Sequence, residues 1–470
     1  MRRVLAATIV TLALITGACG APEPTPVYVG PSVSLPVRER LGIAHGLRAG
    51  AGAERSAARA EVLRHLAWAG YAWSRIDFVW DQVERERGVF DFSAYDPMVD
   101  QALGAGHRIL ALLVYGNTLY SERGAQLGNS HVPPDDPADF ARFAGAAAAH
   151  FAGRLTHYEI WNEPNVGVSF WVGTRGGDYL AYGTLAAAAS AAIRAADPAA
   201  RVVLGGVFDP KLLGSSGYAF LHAAHEARPD LPSAYDAFAF HPYRYPFNAP
   251  ELRGYRQRSY FEVVERYWGL AAEFGAEDRA LWNTEFGWHT APKSPLFPGV
   301  SYLDQARFTA RGILGDLAAG IERTIEYNYA DGRLDPDFQE DAFGILEFDP
   351  DPADAVPGNK KRVFRAHQVL AAVLGPTTFD RDLCAGACAP GTYGLRFTGG
   401  GRAVQAWWTV EGTVARAIAD TATGSAELIT MDGGRTPLAG PAATVALTPS
   451  LVYLVVREDD DLDSDGIADA

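Results

Sequence analysis

Two glutamates stand at the ends of short apolar runs. One lies in His157-Tyr158-Glu159-Ile160-Trp161-Asn162-Glu163-Pro164-Asn165, the other in Arg279-Ala280-Leu281-Trp282-Asn283-Thr284-Glu285-Phe286-Gly287. Pro164 has no N–H to give a sheet ladder, so the first run reads as a buried strand that stops in a polar turn. Two carboxyl groups facing each other across a cleft can split a glycosidic bond. One protonates the leaving oxygen and the other attacks the anomeric carbon; retention of configuration needs them about 5–5.5 Å apart. Asn162, beside Glu163, could hydrogen-bond a sugar 2-hydroxyl. A single Asn-Glu-Pro could be no more than an exposed turn; a second Glu at a matched strand end is what makes the pair chemically meaningful.

Such a pair needs a scaffold that brings strand ends together. The sequence predicts strands at Leu41–His45, Ala72–Ile76, Ile109–Tyr115, Tyr158–Asn162, Val202–Val207, Ala237–His241, Ala280–Thr284 and Thr324–Tyr329. Helical periodicity covers Ala53–Ala69, Tyr95–Ala105, Pro137–Phe151, Tyr179–Ala195, Tyr218–Arg228, Tyr260–Phe274, Leu303–Ala319 and Lys361–Leu374. Apolar strands alternating with helices imply a parallel sheet, and eight such units imply a closed (β/α)8 TIM barrel over residues 38–375. Chemistry on that barrel belongs at the C-terminal strand ends, the fourth and seventh of which carry Glu163 and Glu285. The rival is an open doubly wound sheet, but no Gly-x-Gly-x-x-Gly opens a helix after the first strand. A long insertion, 331–358, follows the eighth strand and would sit on the catalytic rim.

From 376 to 457 the pattern changes to short runs at Tyr393–Phe397, Ala403–Thr409, Val414–Ala419, Ala426–Met431 and Ser450–Val456, separated by Gly, Thr and Asp. This predicts a C-terminal antiparallel β-sandwich, making the whole an α/β protein with a second all-β unit.

The 470 residues are enough for a large core and more than one domain, and a formal net charge of −15 argues against a nucleic-acid partner. Arg2, Arg3 and the apolar run Val4 to Ile15 read as an export signal over residues 1–19, too short to span a membrane. Thr16-Gly17-Ala18-Cys19 resembles a lipoprotein signal box, which would acylate Cys19 and tether the chain to a membrane through residues 20–37. The alternative is plain secretion, with Cys19 discarded. In an oxidising compartment Cys384 and Cys388 form an even pair and are expected to be joined. The acidic tail, 458–470, carries Asp461, Asp463, Asp465 and Gly466 at calcium-loop spacing, but no distal Glu completes a loop; a solvated tail explains it equally.

Further motifs carry a family resemblance. Trp161-Asn162-Glu163-Pro164-Asn165 with Phe170-Trp171 resembles the acid/base motif of glycoside hydrolase clan A, and most resembles family 39. Thr284-Glu285-Phe286-Gly287 resembles the clan's nucleophile strand, and Phe240-His241-Pro242-Tyr243 its sixth-strand motif. Gly88-Val89-Phe90-Asp91-Phe92, after Trp80 and Glu84, resembles the stretch after its second strand. The resemblance implies Glu163 as acid/base, Glu285 as nucleophile and Arg75 as the cation that keeps the nucleophile ionised. Asn162, Arg75, His241, Tyr243, Trp171 and Tyr327 are the expected substrate-binding residues; Tyr115, Asn117, Trp288 and Tyr329 are further candidate sugar walls, each equally explicable as core.

The expected activity is hydrolysis of a β-linked glycan by double displacement, in a monomer with no metal and no organic cofactor. A transglycosylase would use the same intermediate. A non-catalytic sugar-binding barrel is the other class, though it would need neither glutamate.

Overall fold

The computed structural model describes residues 24–457 apart from 175–176, 211–215, 246, 254–257, 295–296, 335, 349–358 and 423. The signal, Cys19 and the acidic tail lie outside the described residues. Eight parallel strands close a barrel in sequence order. They are β1 Leu41–Ala44, β2 Trp73–Val79, β3 Arg108–Val114, β4 His157–Ile160, β5 Arg201–Phe208, β6 Ala237–His241, β7 Ala280–Phe286 and β8 Arg323–Glu326. The ring shuts where Leu41, Gly42 and Ile43 of β1 meet Thr324, Ile325 and Glu326 of β8.

Side chains two apart on a strand point the same way, so the barrel interior is built in layers. Trp73, His157 and Trp282 fill a lower layer: Trp73 meets both others edge-to-face, its centroid 5.8 Å from that of Trp282, and His157 lies tilted by 30° against Trp282. Two residues further along the same strands come Arg75, Glu159 and Thr284, the polar layer beneath the mouth. Burial in this packing pushes the His157 imidazole down to about 3, so it is a neutral filler.

Eight predicted helices surround the ring, each within two residues of the expected bounds, from Ala53–Ala69 to Arg362–Leu374. Their starts are chemically legible: Asp136, Asp178, Ser216, Ser259 and Ser301 each accept a backbone N–H of the first turn, and Ser259 with Glu262 completes a capping box.

Two strands depart from expectation in a way that matters. β7 runs to Phe286, and its pairing with β8 skips one residue between Asn283 and Phe286. β5 has the same irregularity between Leu204 and Val207. Neighbouring residues of a regular strand face opposite ways; a bulge re-aims one of them. That lets both Thr284 and Glu285 turn towards the barrel mouth. β8 stops at Glu326, three residues short of Tyr329, so Tyr327 and Tyr329 belong to the rim.

The C-terminal unit is a β-sandwich. Beyond the barrel come β9 Thr378–Asp382, β10 Thr392–Gly399, β11 Arg402–Thr409, β12 Val414–Ala419, β13 Ser425–Thr430, β14 Arg435–Leu438, β15 Ala442–Leu447 and β16 Val452–Arg457. A six-stranded sheet in the order β14-β13-β16-β11-β10-β9 faces the antiparallel pair β12-β15. Three of these strands went unread: β9 Thr378–Asp382, β14 Arg435–Leu438 and β15 Ala442–Leu447. β9 and β14 are short, and β14 carries a Pro, which weakens any strand signal. β11, Arg402–Thr409, is buried along its whole length because its sheet is covered on both faces. Trp407 packs with Ile418 and Leu447 of the two-stranded sheet, while Trp408 joins the core shared with the barrel. Cys384 and Cys388 are disulfide-bonded.

Candidate active site

The polar layer is a hydrogen-bonded plate. Arg75 is 2 % exposed and donates from Nε to Glu159 Oε2 at 2.7 Å and from Nη2 to Glu159 Oε1 at 3.1 Å. Nη2 also reaches Asn162 Oδ1 at 2.9 Å, and Nη1 reaches Glu285 Oε2 at 3.0 Å. A planar guanidinium with a fixed fork of donors can serve three acceptors at once; an ammonium cannot. Glu285 takes a second donor, the Tyr243 hydroxyl, at 2.8 Å on Oε1.

Glu163 reaches the same cleft from the turn after β4. Its φ is +46° and that of Trp161 is +66°, both uncommon for residues with a side chain. The turn is pinned by Glu163 N–H to Gly206 O at 2.9 Å and Trp161 N–H to Leu113 O at 3.0 Å. Backbone held in a costly region by its surroundings is a frequent mark of a functional position. The Glu163 Oε1 atom lies 2.8 Å from His241 Nδ1. One atom each of Glu163, His241 and Glu285 falls within 4.8 Å of the others. These atom types can hold a metal, but Arg75 already supplies the positive charge beside Glu285.

Electrostatics separate the two carboxyls. Burial pushes Glu163 well above the usual carboxylate range, and the negative charges of Glu285 and Glu340 push it further. Burial also raises Glu285, but Arg75 and the Tyr243 hydroxyl oppose it. Two carboxyls this close share one charge at neutral pH, and it settles on the one with the cation and the phenol, Glu285. His241 is kept neutral, well below its usual value, by burial and by Arg75.

No model of a known protein family matches this sequence, and no curated protein does. Solved structures do. A family 39 glycoside hydrolase from Bacteroides cellulosilyticus WH2 superposes with a TM-score of 0.70 at 20 % identity, covering 90 % of this chain and 82 % of that one. A glucosidase from Croceicoccus marinus gives 0.62 at 14 % identity, over 91 % and 98 % of the two chains. A family 51 alpha-L-arabinofuranosidase from Bifidobacterium longum gives 0.59 at 11 % identity, over 94 % and 100 %. The fold is therefore theirs, and it agrees with the clan A resemblance carried by the sequence motifs.

The expected site residues divide into three groups. Glu163, Glu285, Asn162 and Tyr243 converge on the cleft, where Asn162 Nδ2 donates to the hydroxyl of the half-buried Tyr115 at 3.2 Å and Tyr327 stands at the rim. Arg75 and His241 sit in the site but under it; at 2 % and 0 % exposure they hold the carboxyls rather than touch a sugar. Trp171 is a correction: it is buried against Trp161 and Tyr182, so no sugar can stack on it. Trp288 is likewise core, and Asn117 caps its own loop, accepting Leu119 N–H and donating to Glu84 O. Tyr329 hydrogen-bonds His65 at 2.9 Å on the outer side.

Four residues were missed. Glu159 and Thr284 look like ordinary strand residues until the layer they share with Arg75 is seen. Glu340 lies in the insertion after β8, exposed to the cleft, and its charge pushes up both carboxyls and the phenols of Tyr243, Tyr245 and Tyr327. Asp77, half-buried, follows Arg75 by two on β2 and so faces the mouth. The insertion forms part of the rim, as expected: Phe343 packs edge-on against Tyr243 at 5.7 Å and Tyr327 at 5.4 Å. Asp331 and Lys361, paired at 2.8 Å, and Gln305 Nε2 donating to Phe343 O at 3.4 Å tie it down.

Proposed function

We propose that this chain is a retaining glycoside hydrolase that cleaves O-glycosidic bonds of a β-linked glycan, with Glu163 as acid/base and Glu285 as nucleophile. The observation that carries the reading is the carboxyl separation. An oxygen of Glu163 and one of Glu285 lie within 4.8 Å, near the roughly 5–5.5 Å of retaining enzymes and well below the roughly 6.5–9.5 Å that leaves room for an inverting water. Glu163 protonates the leaving oxygen while the Glu285 carboxylate bonds to the anomeric carbon and the glycosidic bond breaks. Water then attacks that carbon, gives its proton to Glu163, and Glu285 leaves. Asn162, held by Arg75, offers its amide to the substrate beside Glu163. Two of the named neighbours, a glucosidase and an alpha-L-arabinofuranosidase, act on different sugars, so the fold leaves the sugar to the cleft, which is rimmed by Tyr115, Tyr245, Tyr327, His45 and the 336–348 wall.

The test is a screen of aryl β-glycosides and of plant and bacterial polysaccharides with purified protein. Hydrolysis followed by proton NMR should show the β-anomer of the product first. First appearance of the α-anomer contradicts retention, and binding without turnover would leave a sugar-binding barrel.

We further propose export, with a lipid anchor at Cys19. Replacing Cys19 by Ser should release the protein from the membrane fraction; a wild-type chain already soluble and starting past Cys19 rejects the anchor.

A further inference from the structure

The hydrogen-bond chain under the carboxyls admits one arrangement of protons. Glu159 is 0 % exposed and accepts from both Arg75 nitrogens and from Gly206 N–H at 2.9 Å. A carboxylate so paired accepts only, so the Thr284 hydroxyl, 3.0 Å away, donates its single proton to Glu159. Thr284 Oγ1 is also 3.1 Å from His241 Nε2. With its proton used, the hydroxyl can only accept there, and His241 must carry its hydrogen on Nε2. A neutral imidazole has one N–H, which leaves Nδ1 as a lone pair. That lone pair faces Glu163 Oε1 at 2.8 Å, so the proton between them belongs to Glu163.

We propose that Glu159, acting through Thr284, fixes His241 in the Nε2–H form, so that His241 Nδ1 accepts a hydrogen bond from Glu163 and keeps the acid's proton in place until substrate arrives. This rests on the reading of Glu163 as the acid. Glu159, Thr284 and His241 are positioning residues; none of them exchanges a proton in the cycle. The proton leaves Glu163 for the glycosidic oxygen in the first step and returns from water in the second, while His241 stays neutral throughout.

Two features of the structure support the arrangement. A Cβ on Gly206 would lie 2.1 Å from His241 Nε2 and 2.7 Å from Thr284 Oγ1, so only glycine leaves room for their contact. Thr284 faces inward by regular alternation from Trp282, and the bulge in β7 turns Glu285 to the same side beside it. The charges facing Glu163 push in the same direction: Glu285 from β7 and Glu340 from the rim favour the protonated acid, and Arg75 from β2 opposes. The phenols of Tyr115, Tyr243 and Tyr245, all pushed upward by burial, stay neutral around it.

The test reads the tautomer and the activity separately. The chain is labelled with 15N-histidine, and the His241 ring signals are assigned by their loss in His241→Gln. The expected wild-type spectrum has hydrogen on Nε2 and a bare Nδ1. Thr284→Val keeps the shape but removes the acceptor. His241 should then shift its hydrogen to Nδ1 and donate to an ionised Glu163, moving the basic limb of the kcat/KM pH profile down by about one unit or more. Thr284→Ser restores the hydroxyl and should bring tautomer and limb back together. A wild-type His241 with hydrogen on Nδ1 overturns the proposal without any variant. So does a Thr284→Val protein whose tautomer and limb are unchanged. A wild-type Nε2–H signal in a protein that cleaves no glycoside would support the proton arrangement and reject the hydrolase reading instead.

Discussion

Tyr243 and Arg75 both donate to Glu285, and their losses should be distinguishable. The Tyr243 hydroxyl makes a hydrogen bond to a charged oxygen at 2.8 Å, worth about 1.5–3 kcal/mol. Tyr243→Phe removes it and nothing else of size. The Glu285 acid should then hold its proton more tightly, and the acidic limb of kcat/KM should move up by about 1–2 units, since one unit is about 1.4 kcal/mol. The basic limb, which reports Glu163, should stay. The sign follows from burial: a buried carboxyl without donors prefers its proton, so activity appears only at higher pH. Arg75→Lys keeps the charge but loses the fork. One ammonium cannot serve Glu159, Asn162 and Glu285 together, so kcat should fall by about 100-fold or more while the fold survives. Steady-state kinetics across pH on each variant, with thermal unfolding as control, checks both.

At the scale of elements, the barrel was legible and the bulges were not. The eight strands and eight helices follow from apolar runs and period, and Ser or Asp caps mark where helices begin. Glu163 and Glu285 stood out because a carboxylate at an apolar strand end is conspicuous. Glu159 lacked that signal. Only the register of Leu112 opposite Glu159 on the β3–β4 ladder, and the layer above Trp73 and Trp282, turns it inward. Trp171 misled because an aromatic after an Asn-Glu-Pro turn can face sugar or core, and periodicity does not say which. Glycines give a direct test of the element geometry. Gly206→Ala would drive a methyl into His241 and Thr284, costing about 1–3 kcal/mol from overpacking and most of kcat. Gly269→Ala, in the helix Tyr260–Glu273, meets nothing within 4 Å and should raise stability by about 0.5–1 kcal/mol without touching activity. Thermal melts of the two variants should move in opposite directions, and kcat should fall only in Gly206→Ala.

For the whole molecule, the sandwich is joined to the barrel through a buried charge. Arg311 and Glu251, both 0 % exposed, pair at 3.2 Å, and Trp408 of β11 donates to Glu251 at 2.8 Å. Arg311 Nη1 also donates to Thr409 O at 3.2 Å, and Tyr393, stacked 5.1 Å from Trp408, donates to Thr25 O. Removing one partner of such a pair strands the other, which costs about 3–5 kcal/mol. Glu251→Ala should therefore lower the melting temperature of the whole chain in one calorimetric transition; two separated transitions would mean the units are stable alone. The disulfide should leave no free thiol by titration in unfolded, non-reduced chain lacking Cys19, in agreement with the Cys384–Cys388 bond.

The central claim is the division of roles between Glu163 and Glu285, and product stereochemistry with azide reads it most directly. Glu163→Ala still forms the glycosyl-enzyme from a substrate with a good leaving group, and azide then displaces Glu285 to give the β-glycosyl azide, with retention. Glu285→Ala has no nucleophile, so azide attacks from the vacated face and gives the α-azide, with inversion. NMR of both products should show that pattern. The α-azide from Glu163→Ala with the β-azide from Glu285→Ala would reverse the roles, and wild-type rates in both variants would contradict the site altogether.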